Sequence, residues 1–260
     1  MGIVNVTPDS FSDGGRYVVP GAALAHARAL IAAGADILDI GGESTRPGAA
    51  PVAEAEELAR VVPLIAALAG EAVVAIDTAK PAVARAAVAA GVTIWNDVTA
   101  LRGAPESLDT AAELGCGVVL MHMQGEPRTM QTAPRYDDAL AEVRDFLSAR
   151  AEAAMTAGVA RRAIWLDPGI GFGKGPEHNL ALLRGLDRLI ALGFPVLLGA
   201  SRKAVVRQLD PTAATPADRL GGSLALALWG ASQGAAAVRV HDVRQTVQAL
   251  RIMDALGSAS

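Results

Sequence analysis

Short runs of β-branched and aliphatic residues, each ending in polar side chains, recur along the whole chain at 2–6, 35–42, 72–78, 93–98, 117–122, 163–169, 195–201 and 237–242. Between them lie Ala/Leu-rich stretches with charges at helical spacing, among them 22–33, 52–68, 81–90, 137–157 and 177–192. Strand and helix thus alternate eight times over 260 residues, about 32 residues per unit, which predicts a single-domain (β/α)8 TIM barrel spanning 1–260. No Pro/Ser-rich linker or charge block marks a domain boundary. The competing architecture, an open doubly wound sheet, needs a phosphate loop after its first strand. The glycine-rich piece from Gly169 to Gly175 has neither the GxGxxG nor the GxxxxGK[ST] spacing, and Gly175 stands where a hydroxyl is required.

Composition narrows the function classes. Lys+Arg 23 against Asp+Glu 27 gives a net charge of −4 without basic clusters, so nucleic acid is not an expected partner. A single cysteine, Cys116, excludes an internal disulfide and a multi-cysteine metal site and points to a reducing, cytoplasmic setting. Mean hydropathy is positive, +0.33, but the longest uncharged stretch, 220–238, is broken by four glycines, two serines and Gln233. It reads as a buried helix running into a buried strand, so no membrane association is expected. Val6 also occupies the place where a myristoylation signal needs Ser or Thr. The histidines His26, His122, His178 and His241 lack metal-site spacing, and no GxSxG elbow occurs.

In such a barrel the strands aim their C-terminal ends at one face, where the chemistry sits. Those ends carry Asn5, Asp39, Asp77, Asn96 with Asp97, His122, Asp167, Ser201 with Lys203, and Arg239 with His241. Any one of them could be a cap or turn residue; their convergence favours a site. Period-two alternation sends Arg239 and His241 to the same side. The segment Ser201-Arg202-Lys203 closes strand 7 and opens a helix whose free N–H groups favour an anion. Asp77, Asn96 and Asp167 suit a flat, donor-rich heterocycle, because a carboxylate can accept two parallel N–H bonds. The expected ligand is a phosphorylated or diphosphorylated polar ring.

The motifs carry a resemblance. Met1 through Gly15, with Asn5-Val6-Thr7-Pro8-Asp9-Ser10-Phe11, is similar to the opening signature of the dihydropteroate synthase family, and Asp39-Ile40-Gly41-Gly42-Glu43-Ser44-Thr45-Arg46-Pro47-Gly48 resembles its second. Ile76-Asp77-Thr78, Asn96-Asp97-Val98, the segments 120–125 and 167–174, Ser201-Arg202-Lys203 and Arg239-Val240-His241-Asp242 continue it in order. The resemblance implies a barrel that joins 6-hydroxymethyl-7,8-dihydropterin diphosphate to p-aminobenzoate, a site where sulfonamides compete. It implies that Asp77, Asn96, Asp167 and Lys203 hold the pterin, and that Asn5, Arg239 and His241 hold the diphosphate with Mg2+, Asn5 being the metal ligand. Thr45 and Arg46 then belong to a mobile second loop. Phe11, Asp13, Pro47, Phe172, Ser201 and Lys203 frame p-aminobenzoate, with Asp13 accepting the amine proton. Loops 7–17 and 43–53 are expected to act as lids, and family members commonly pair as homodimers through late helices, for which the small apolar 224–231 face is suited.

Departures from the family pattern are few. Met1 begins the first motif itself, where relatives commonly carry a preceding stretch, and Ala79 and Ala204 replace larger or hydroxyl side chains. Lys174 and His178 receive no role, and His122 is read as a barrel cap. Trp95, Trp165 and Trp229 are expected in the core, with Cys116 a buried apolar residue. Two further readings share the barrel: a pterin-binding methyltransferase domain, which needs neither the first loop nor the Arg-x-His anion site, and a pterin-binding paralogue without turnover.

Overall fold

The computed structural model describes residues 1–6, 20–44, 50–126 and 129–257. All eight expected strands form: β1 Gly2–Asn5, β2 Ile37–Gly41, β3 Val73–Asp77, β4 Ile94–Asp97, β5 Gly117–Met121, β6 Ile164–Asp167, β7 Leu197–Leu198 and β8 Ala237–Val238. The first six pair in sequence order and in parallel, and β7 pairs with β8. Single bridges from Leu166 to Val196 and from Gly2 to Val240 join the two sheets into a TIM barrel.

β7 and β8 are shorter than their hydrophobic runs. Pro195 has no N–H to give a ladder, and beyond Gly199 the chain enters a turn in which Arg202 adopts a left-handed φ of 57°. Pairing on the β8 side survives as isolated bonds, Arg239 N–H to Leu198 O at 3.0 Å and Val240 N–H to Met1 O at 2.9 Å.

The helices among the described residues are α1 Pro20–Ala32, α2 Glu54–Leu68, α3 Pro81–Ala89, α4 Ser107–Leu114, α5 Ala139–Thr156, α6 Pro176–Arg184, α7 Leu186–Ile190, α8 Ala204–Leu209, α9 Leu220–Ser232 and α10 Val243–Gly257. In α2 the buried Val61, Leu64, Ile65 and Leu68 repeat at helical spacing, while Glu54, Glu56 and Glu57 occupy the first turn, where acidic groups favour the positive end of the dipole. α5 starts at Asp138, whose carboxylate accepts from the Leu140 and Ala141 amides. The stretch 177–192, expected as one helix, divides at Gly185, where a Cβ would stand 2.2 Å from Leu140 Cδ2 of the neighbouring α5.

The core is a large cluster that includes Leu38, Ile40, Ile76, Trp95, Leu120, Ile164 and Leu166, and a small second cluster of Val98, Met121, Met123 and Met130 packs against Phe172. Cys116 is buried as expected. Trp165 is half-buried, and Trp229 is 42% exposed. That exposure corrects the reading of 220–238 as buried: α9 buries only Ser223, Ala227 and Gly230. Its apolar residues surround the whole helix, so one face is left without cover by the described residues. No helix among the described residues is long and apolar enough to cross a membrane.

Candidate active site

Parallel register sets the first row of polar groups. Asn5 stands beside Gly41, Gly41 beside Asp77, and Asp77 beside Asn96, so the ends of β1 to β4 meet at one level of the barrel mouth. Gly41 contributes no side chain to this row beside Asp77. Asp167 ends β6 beside Met121, and its carboxylate accepts the Gly169 amide at 2.7 Å.

Arg239 ties the ring together. Its Nε donates to Asp39 Oδ2 at 2.5 Å and its terminal nitrogen to Asp77 Oδ2 at 2.7 Å, and Asn96 Nδ2 donates to the same Asp39 oxygen at 3.1 Å. The cationic and acidic arcs expected to face each other across the mouth are thus directly bonded. A guanidinium carries five N–H donors, so these two carboxylates leave capacity for an anion. Asp39 is fully buried, and its Oδ1 has no hydrogen-bond partner among the described residues. A buried carboxylate oxygen without a donor is costly and marks a place where a donor on a ligand would be favoured. Sequence reading placed Asp39 at a strand end but gave it no role. Its partner is 200 positions away, so only closure of the barrel reveals the pairing.

Desolvation dominates the electrostatics. Burial pushes the Asp77 carboxyl up to about 7; Asp39, Asp97 and Glu57 add to this, and Arg239 opposes it. Burial also raises Asp167, against the pull of Lys203 and the Gly169 amide. It lowers Lys203 to about 8, with Asp167 opposing. For Arg239 burial alone would weaken the charge, but Asp39, Asp77 and Asp167 outweigh it and hold the guanidinium cationic.

The expected anion side lies on the exits of β7 and β8. Ser201 Oγ stands 3.0 Å from His241 Nδ1 and accepts the His241 backbone N–H at 3.2 Å. Arg202 grips Asp242 with two bonds, at 3.0 and 2.5 Å, and its own amide donates to Ser223 Oγ at 2.8 Å. The two exits are thereby pinned together. The helix expected to begin here starts at Ala204 and has 6 residues, too short for a sizeable macrodipole, so side chains must carry the anion attraction. Lys203 Nζ donates to Ile170 O and lies 4.4 Å from the centre of the Phe172 ring.

The structure therefore gathers Asn96, Asp77, Asp167, Lys203, Arg239 and Phe172 around the mouth, with Asn5 in the same row and Ser201 paired with His241. Phe11, Asp13, Thr45, Arg46 and Pro47 lie outside the described residues, as do the whole first expected lid and 45–49 of the second. Asp97 faces away from the ligand role of its neighbour: it accepts from the Thr99 and Leu101 amides and from Thr99 Oγ1, supporting a turn in which Ala100 and Leu101 both have positive φ.

His122 and Lys174 are also interior. Burial, with Lys174 and Arg102 adding, lowers His122 to about 3, so its ring is neutral at physiological pH. Burial and Lys203 lower Lys174 to about 7, with Asp167 opposing. Among the described residues no three His, Cys, Asp or Glu side chains gather as a metal cage.

A family model described as pterin binding enzyme matches residues 1–241. Dihydropteroate synthase of Escherichia coli (strain K12) is 49% identical over 261 residues, covering 100% of this chain and 92% of its own. The structure of Xanthomonas albilineans dihydropteroate synthase with 4-aminobenzoic acid superposes with a TM-score of 0.94 at 50% identity, covering 100% of this chain and 93% of that one. The same enzyme in complex with 7,8-dihydropteroate gives 0.90 at 48% identity, with coverage of 100% and 94%.

Proposed function

The chain belongs to the dihydropteroate synthase family of pterin-binding enzymes, and from that membership we infer how its mouth residues divide the work of the reaction. The reaction condenses 6-hydroxymethyl-7,8-dihydropterin diphosphate with p-aminobenzoate to give 7,8-dihydropteroate and diphosphate. The observation that supports the division most is the bonded row of Asp39, Asp77, Asn96 and Arg239.

Asp77, Asn96 and Asp167 grip the donor-rich edge of the pterin, with Lys203 beside them, and Asp39 Oδ1, without a hydrogen-bond partner among the described residues, offers one further acceptor. An arylamine is a weak nucleophile, so the barrier lies mainly in parting the diphosphate from the pterin methylene while positive charge grows on that carbon. The Asp77 carboxylate stabilises that charge. Arg239 and His241 take up charge on the departing diphosphate. Phe172, Ser201 and Lys203 frame p-aminobenzoate together with Phe11 and Pro47, Thr45 and Arg46 cover the site, and Asp13 accepts the amine proton.

Asn5 would hold Mg2+ together with the diphosphate. A lone amide oxygen fits the habit of this ion, which keeps most of its waters and takes other ligands from substrate phosphates, and the donor is a hard oxygen as the ion requires. When bound, the ion neutralises charge on the leaving group. The second copy implied by a homodimer docks on the open face of α9.

Diphosphate release measured with pterin diphosphate, p-aminobenzoate and Mg2+ tests this reading. Release that requires both p-aminobenzoate and the ion, with stoichiometric dihydropteroate, supports it. Pterin diphosphate that binds and stays intact would leave a binding paralogue instead.

A further inference from the structure

Lys174 has no part in the chemistry above, yet it is 1% exposed. Its Nζ lies 2.9 Å from His122 Nδ1 and donates to the carbonyls of His122 at 3.2 Å, Gly169 at 3.0 Å and Phe172 at 2.9 Å. None of these partners is a carboxylate. Two belong to the exit of β5 and two to the exit of β6, and the two exits press main chain against main chain. A Cβ at Gly169 would fall 2.0 Å from His122 O, and one at Gly173 would fall 2.3 Å from Gln124 O. Three carbonyl oxygens aimed at one buried point repel one another unless a cation or several donors occupy it. Lys174 is a built-in occupant of that point.

The rest of the loop is strapped in the same way. Gln131 Nε2 donates to Gly171 O, Tyr136 Oη to Gly173 O at 2.8 Å, and Asn179 Nδ2 to the carbonyls of Lys174 and Gly175 at 3.3 and 2.8 Å. Asn179 Oδ1 also accepts the Gly171 amide at 2.7 Å. What this loop presents to the barrel mouth is the Phe172 ring, over which Lys203 sits, and the Ile170 carbonyl on which Lys203 rests.

We propose that Lys174 is a positioning residue: its enclosed side-chain nitrogen locks the β6 exit loop to the β5 exit and so sets the place of Phe172 and Lys203 at the p-aminobenzoate side of the mouth. The inference rests on the assignment of those two residues to that substrate. It predicts a larger effect on p-aminobenzoate than on the pterin, because Phe172 serves p-aminobenzoate alone, whereas the pterin keeps Asp77, Asn96 and Asp167 and shares only Lys203 with the loop.

The test uses Lys174→Met, which keeps the length of the stem and removes every donor, and Lys174→Gln, which keeps two N–H groups. Both are compared with wild type by steady-state kinetics and by hydrogen exchange of residues 168–175 in the ligand-free protein. The expected result for Lys174→Met is a KM for p-aminobenzoate raised at least tenfold, a kcat within threefold, a smaller change in KM for pterin diphosphate, and faster exchange across the loop. Lys174→Gln should fall between it and wild type in both readouts. Unchanged exchange, or kcat lowered at unchanged KM, overturns the proposal. Loss of folding in both variants also overturns it, since Lys174 would then be a requirement of the fold. Exchange needs no turnover: faster exchange in a protein whose wild type makes no dihydropteroate would preserve the loop role and remove the functional reading instead.

Discussion

At the scale of single residues, the site is organised by carboxylates that share one cation. Arg239 serves both Asp39 and Asp77, so the pair retains excess negative charge suited to a cationic ring. Arg239→Ala and Asp77→Asn should each lower kcat/KM by at least tenfold, about 1.4 kcal/mol of transition-state stabilisation; wild-type turnover in either variant removes that role. The shared cation also sets a pH dependence. Burial first, and then Asp39 among the neighbouring carboxylates, raises Asp77 to about 7. A carboxyl is half ionised at its pKa, so an activity that needs the carboxylate is half-maximal near pH 7, approaches its plateau above that value and declines as pH falls below it. Asp39→Asn removes one negative neighbour and leaves Arg239 to Asp77, which lowers the Asp77 pKa. The acid limb of kcat/KM for pterin diphosphate should therefore move to lower pH in that variant. Ionisation of the substrate itself would not move, so an unshifted limb argues against coupling through Asp39.

At the scale of elements, the exits of the strands are shaped by close backbone contact as much as by side chains. Gly169 has φ +65°, and a Cβ there would meet His122 O at 2.0 Å, an atom of the main chain that cannot rotate away. Gly169→Ala should lower the unfolding free energy by about 3 kcal/mol or more, read from urea melts, whereas Gly115→Ala, also at positive φ but with no heavy atom within 4 Å, should lose only the smaller backbone cost. Equal losses would show that conformation, not contact, sets the penalty. This contrast also explains what was legible in the sequence. Strands and most helices follow from periodicity, because burial repeats with the geometry of the element. The end groups Asp77, Asn96 and Asp167 were legible because a parallel barrel collects strand ends at one face. Asp39 and Lys174 were not, since their roles depend on contacts between elements: Arg239 reaches Asp39 across 200 positions and Lys174 reaches His122 across 52. The close approach of Leu140 to Gly185, from another helix, was hidden for the same reason.

At the scale of the whole molecule, the barrel leaves one side under-covered. α9 is apolar all round, yet Trp229 is 42% exposed, and on the adjacent α10 Ile252 and Leu256 are 59% and 77% exposed. A helix with an apolar back and an apolar front belongs between two layers, and the described residues supply only one of them. In the proposed homodimer a second copy would supply the other by two-fold symmetry, each α9 meeting its counterpart's surface. The chain should therefore sediment as a dimer at micromolar concentration. Ala225 lies on the exposed side of α9, where arginine keeps helix propensity while placing a charge inside the contact. Ala225→Arg should shift the protein to monomer while leaving diphosphate release within about twofold, because every described mouth group comes from a single chain. A monomeric wild type would assign the exposed apolar face to some other contact. A monomeric variant with lost turnover would mean that the dimer supports the β7 and β8 exits, to which α9 is joined through the bond from the Arg202 amide to Ser223 Oγ.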